Sequence, residues 1–336
     1  MPGILDSMTS MLSPAAIAQI ARAIDVNSAL VHRGFAVTGP LVLSNLAKST
    51  ATPKGAATVL RQLPQDGGSD LLGHLMHTLM HNISAAAAAR PKPDEPAESL
   101  FGVGTNAVTT SLTRHIGFNA RPLLVIATPL VLGLISRVAK SRNLNAAGLA
   151  EMLRSENDTF MKSPTNREAA SVIFTALSAS DKANALRQMF DEAEWLKVRT
   201  APLAALYYIS NASPSGAAGL AREFTAAADA ISEAAKAAPP VSLLGTAFGT
   251  GLSEDSFTQL TRQKPETEAL LSDLHDTICI VARRSPSDTE AYREVILFAA
   301  QRAAEANKEG SFLGIGGTRV SQEEQRAIDE IRSALR

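Results

Sequence analysis

The sequence predicts an all-α protein, and three observations carry that prediction. Aromatic residues are only 4% of the chain, alanine is abundant along its whole length, and no segment alternates apolar and polar residues with a period of two. Alanine loses no side-chain entropy in a helix, whereas strands favour the β-branched and aromatic types that are scarce here. Apolar residues make up 45% of the 336, enough for two or three folding units with cores of their own.

The elements follow in order. Ser13-Pro14 and Thr52-Pro53 each place a capping hydroxyl before a proline at the first helical position, and Ile17, Ile20, Ala21 and Ile24 then recur with helical period. Residues 70–83 read as an amphipathic helix. With Leu72 as origin and about 100° per residue, Leu72, Leu75, Met76, Leu79 and Ile83 cluster on one side, with Asp70, His74, His77 and His81 opposite. The stretch "AAAAARPKPDEPAES", 85–99, reads as an alanine-rich helix ending in a proline-rich linker. "PLLVIATPLVLGLIS", Pro122 to Ser136, spans about 22 Å as a helix, short of the roughly 30 Å hydrocarbon layer, and is interrupted by Pro129. It reads as a buried core helix, with no membrane span expected. Thr165…Glu168, Ser287…Glu290 and Ser321…Glu324 have capping-box spacing, and Pro239-Pro240 stops a helix.

Residues 39–63 and 128–156 form a divergent repeat. Both run Pro-Leu-Val-Leu, a basic residue (Lys48, Arg137), a small-residue turn, and a short helix ending Leu-Arg. Two such units are expected to pack face to face, because neither can cover its apolar side alone. The polar stretch 155–166 closes this half, which gives expected domains of 1–155, with an internal linker at about 85–99, and 166–336. Residues 1–155 carry a net charge of +5 and the remainder −6, for a total of −1. A half with +5 is mildly basic, well short of a dedicated nucleic-acid surface.

The first half resembles the YidB-like bacterial domain family of unknown function, on the residues "GILDSMTSMLSP", "PLVLSNLAK", "TPKGAATVLRQL" and "PLVLGLISRVA…NAAGLAEML". The resemblance implies an all-α domain with homeodomain-like helices and a tendency to self-associate, and implies no activity. In place of that family's glycine-rich middle linker, this chain has "ARPKPDEP". The second half is similar to an uncharacterised bacterial helical module on "EWLKVRTAPLAALYYISNASPSGAAGLAREF", and its tail, "FLGIGGTRVSQEEQRAIDEIRSAL", resembles tellurite-resistance-type helical domains.

Candidates for chemistry are few. His77 and His81, at i and i+4, have the spacing of a zinc pair, and His74 is the third histidine of that face. No third protein ligand is apparent, so a solvent-facing surface is preferred. Gly314 to Val320, "GIGGTRV", lacks the Lys-Ser/Thr of a phosphate loop and reads as a turn before a helix capped by Ser321. Asp191 and Glu194 read as a solvated face paired with Lys197 and Arg199, with Trp195, Tyr207 and Tyr208 as core anchors. Cys279, the single cysteine, lies in an apolar stretch and reads as core.

No catalytic residues, cofactor or small-molecule ligand are expected. The preferred function is non-enzymatic, through self-association or partner binding in the cytoplasm. The apolar helix around Leu130, Leu132, Leu134 and Ile135 is the expected contact surface, because a helix apolar all round must be covered on every side. Weak DNA binding through Arg137, Lys140 and Arg142, and an enzyme with a dispersed site, are the alternatives.

Overall fold

The computed structural model describes residues 3–64, 96–251, 257–258, 261–262, 265–306 and 320–336, and every regular element among them is helical. By internal contacts the chain divides into Met1–Asp181 and Lys182–Arg336. The expected stretch 155–166 is not a break in the contacts. It holds the end of a helix and a 3-10 turn, because Phe160 and Met161 pack on the core of the first unit.

The first unit contains α1 (Ile4–Met11), α2 (Pro14–Ala23), α3 (Ser28–Ser49), α4 (Pro53–Gln62), α5 (Pro96–Phe101), α6 (Thr105–Ile116), α7 (Arg121–Ser141), α8 (Ala146–Lys162) and most of α9 (Arg167–Gln188). The starts of α2 and α4 are those expected: Ser13 Oγ accepts from the Ala16 amide at 3.2 Å, and Thr52 Oγ1 accepts from the Gly55 amide at 3.1 Å. Asn145 caps α8 in the same way, accepting from the Gly148 amide at 2.9 Å. Each cap satisfies an amide that the helix leaves without a partner.

The repeat is two pairs of consecutive helices, α3–α4 and α7–α8. Helix α3 packs on α7 and α8, and α4 packs on α8, so the two pairs pack on each other chiefly through α3 and α8. Leu41, Leu43 and Leu46 from α3, and Leu123, Leu130 and Ile135 from α7, are buried in this core. A Cβ on Gly34 would lie 2.2 Å from Leu123 Cδ1, so glycine permits the close approach of α3 and α7.

Pro40 and Pro129 sit inside α3 and α7 without ending them. Proline removes one helical hydrogen bond, but helices buried on so many sides gain more from packing than the interruption costs. Helix α7 is therefore 21 residues long, about 31 Å at 1.5 Å per residue. The expectation that it is too short to cross a bilayer does not hold for the whole helix. Its burial marks it as a core helix, since 67% of its most apolar window is inside the unit.

The second unit contains α10 (Glu192–Ala212), α11 (Gly216–Ala237), α12 (Leu243–Phe248), α13 (Thr267–Arg284), α14 (Thr289–Ala304) and α15 (Gln322–Ala334). Helix α14 packs on α11 and α10, and α10 also packs on α13 and α15. Ser321 and Glu324 form the expected capping box at α15. The box expected at Ser287…Glu290 does not form. Pro286–Asp288 is a 3-10 turn running straight into α14, and the Asp288 carboxylate instead accepts from the Leu243 amide and Ser285 Oγ. The Thr165…Glu168 spacing meets the same arrangement, with the 3-10 turn Pro164–Asn166 leading into α9.

Candidate functional site

The most distinctive surface feature of the first unit is an open groove of about 1070 Å³. Three walls form it. The end of α3 and the turn into α4 contribute Ala47, Lys48, Ala51 and Pro53. Helix α8 contributes the stripe Ala147, Ala150, Glu151, Arg154 and Asn157, and α9 contributes Ile173, Phe174, Leu177 and Asp181. The i, i+3 and i+4 spacing on α8 and α9 puts each set on one helix face. Alanine at four of these positions keeps the groove wide, and Ser44 Oγ ties α3 to α8 by donating to Asn157 Oδ1 at 2.6 Å.

Phe174 stands at the lip of this groove, 71% exposed, the most exposed of the large hydrophobic side chains among the described residues. Among the described residues, the four charged groups of the lining pair with one another, Lys48 with Asp181 and Arg154 with Glu151. Their charges cancel. Among the described residues, the lining contains neither histidine nor cysteine, and no group of three His, Cys, Asp or Glu side chains is placed to hold a metal ion. The arrangement can bury apolar surface.

The residues singled out from the sequence are placed elsewhere. His74, His77 and His81 lie outside the described residues, as do residues 314–319 of the glycine loop. Leu130 and Ile135 are fully buried, Leu134 is 7% exposed and Leu132 is partly buried, all in the core of the first unit. They are not a free contact surface, because they lie in the core of the first unit, where α1, α3, α5 and α6 pack on α7. Arg137, Lys140 and Arg142 are exposed toward the end of α7.

In the second unit two expectations are corrected. Glu194 is buried rather than solvated: its carboxylate caps α10 with Asp191 and accepts from Arg283 at 2.7 Å and from Arg284 at 3.0 Å. The Arg284 hydrogen bond holds its carboxyl below the usual carboxylate value, against the effect of burial. Lys197 pairs instead with Asp273 and Asp276. Cys279 is exposed rather than core, because Leu270, Leu274, Ile278 and Val281 take the buried face of α13. Its Sγ lies 3.7 Å from His275 Nε2, and His275 Nδ1 lies 3.1 Å from the Ala334 carbonyl. Trp195 and Tyr208 are core anchors as expected, with Tyr207 partly buried. Burial, together with a hydrogen bond to Glu330, pushes the Tyr208 hydroxyl up to about 12.

Residues 6–138 match a family described as "Bacterial protein of unknown function (DUF937)". No curated protein and no solved structure matches the chain. The matched segment ends inside α7, so the α8 and α9 walls of the groove lie beyond it. YidB-like proteins carry this same domain, and residues 6–138, in the first half of the chain, are a DUF937 domain of the bacterial family of unknown function.

Proposed function

We propose that this is a non-enzymatic helical protein that acts by association, foremost with other copies of itself, through its first unit. The observation that carries the reading is the apolar groove with Phe174 exposed at its lip. Exposed apolar side chains next to a concave apolar surface mark contact sites on otherwise polar proteins. The neutral charge balance of the lining favours a polypeptide over a phosphate backbone, which would call for a surplus of lysine and arginine. A second reading, weak DNA binding without sequence preference, is supported by exposed Arg137, Lys140 and Arg142 alone. Three such contacts would give a shallow but measurable fall of affinity with salt. We place the protein in the cytoplasm, where a single exposed thiol stays reduced.

Light scattering coupled to size-exclusion chromatography of the full chain tests the association reading. Mass should exceed the 35.3 kDa of one chain and fall toward it on dilution. A single species of 35.3 kDa at every concentration overturns the reading.

A further inference from the structure

We infer that two copies of the chain pair through the groove of the first unit, each seating its Phe174 in the groove of the other. This rests on the association reading above and adds to it a surface and a mode of pairing. Phe174 and the groove belong to one face, since Ile173, Phe174, Leu177 and Asp181 all line it from α9. A two-fold axis through that face brings each Phe174 onto its partner's groove, because in such an interface the same patch serves both copies.

The chemistry of the lining fits a second copy in two ways. First, the walls carry alanine at Ala47, Ala51, Ala147 and Ala150, which leaves room for an aromatic ring and the helix turn that bears it. Phe174 is the side chain with most apolar surface to gain from that room, being 71% exposed where it stands. Second, Lys48 and Arg154 are balanced by Asp181 and Glu151. A rim with equal numbers of both signs can face its own copy and exchange partners without leaving a surplus of like charge, whereas an acidic or a basic partner gains nothing from it.

Reciprocal seating makes a prediction that simple damage to the fold does not. Phe174→Asp removes the ring and leaves the α3, α4 and α8 walls of the groove in place; Ala150→Trp fills the groove and keeps the ring. Each variant alone has no intact seat, while a mixed pair has one. We therefore measure dimer dissociation constants of full-length protein by light scattering over a dilution series, with circular dichroism to verify helical content. Each variant alone should dissociate at a concentration at least about 100-fold above wild type, in line with losing a buried aromatic anchor at both seats. An equimolar mixture should associate more tightly than either variant alone. Leu196→Asp, at a 62% exposed position of the second unit, should leave the constant unchanged. If Ala150→Trp loses helical content, Ala147→Trp, at an exposed position of the same wall, takes its place. An associating wild type with an unaffected Phe174→Asp variant overturns the pairing and leaves the association reading standing. A mixture no tighter than its components overturns reciprocal seating. A monomeric wild type overturns both.

Discussion

Replacing Tyr292 by phenylalanine removes a single oxygen from the core of the second unit, and its cost can be worked out from Pro202. In a helix the carbonyl of Val198 accepts from the amide four residues later, which is Pro202, and proline has no amide hydrogen. Tyr292 supplies the missing donor: its hydroxyl donates to the Val198 carbonyl at 2.6 Å, from the neighbouring helix α14. Both residues are fully buried, so no water takes over when the hydroxyl is removed. A typical internal hydrogen bond contributes about 1 kcal/mol, and a buried acceptor left without a donor costs about 1–3 kcal/mol, so Tyr292→Phe should destabilise the unit by about 2 kcal/mol. Pro202→Ala restores the helical amide. In that background the Val198 carbonyl keeps a donor, and the same Tyr292→Phe change should cost about 1 kcal/mol less. Urea unfolding followed by fluorescence measures all four proteins, because the single tryptophan, Trp195, lies in α10 one turn from Val198. The reasoning fails if Tyr292→Phe leaves the midpoint unmoved, or if the two changes add within about 0.5 kcal/mol.

Three further outcomes are expected. Leu134→Glu should destabilise the first unit by about 3 kcal/mol or more, because it puts an unpaired carboxylate into a core position; a wild-type melting temperature would show that the position is available at the surface. Glu194→Gln should be less stable than wild type at pH 7 and should match it in acid. The folded carboxyl of Glu194 sits below its ordinary value of 4.5, so its contribution is present above that pH and is lost as pH falls through the folded value. A stability gap of the same size at pH 3 and pH 7 would contradict the assignment. Finally, Cys279 should react with a thiol reagent in the folded protein at one equivalent per chain, and a thiol that reacts only in denaturant would return it to the core.

What could be read from the sequence was what depends on near neighbours in the chain. Ser13, Thr52 and Ser321 act as caps because a cap needs only a side chain and an amide two or three residues on. The paired repeats were visible because Pro40-Leu41-Val42-Leu43 and Pro129-Leu130-Val131-Leu132 share one pattern. What escaped depends on the partner. An all-round apolar helix such as α7 states that it is covered but not by what, so Leu130, Leu134 and Ile135 looked like a contact surface when the helices of the same unit already enclose them. Cys279 and Glu194 exchanged their expected places for a similar reason. The apolar stretch around Cys279 needs only one face of α13 buried, and Glu194 meets its arginines 89 and 90 residues further along. The groove was least visible of all, since alanines and a few charges from α3, α8 and α9 carry no signal until the fold brings them together. Within Val172-Ile173-Phe174 the largest side chain is the one left outside, because Ile173 and Ala176 already occupy the buried face of α9. A helix turning about 100° per residue cannot bury three consecutive apolar side chains in one direction. That geometry leaves Phe174 at the lip of the groove, where another copy can cover it.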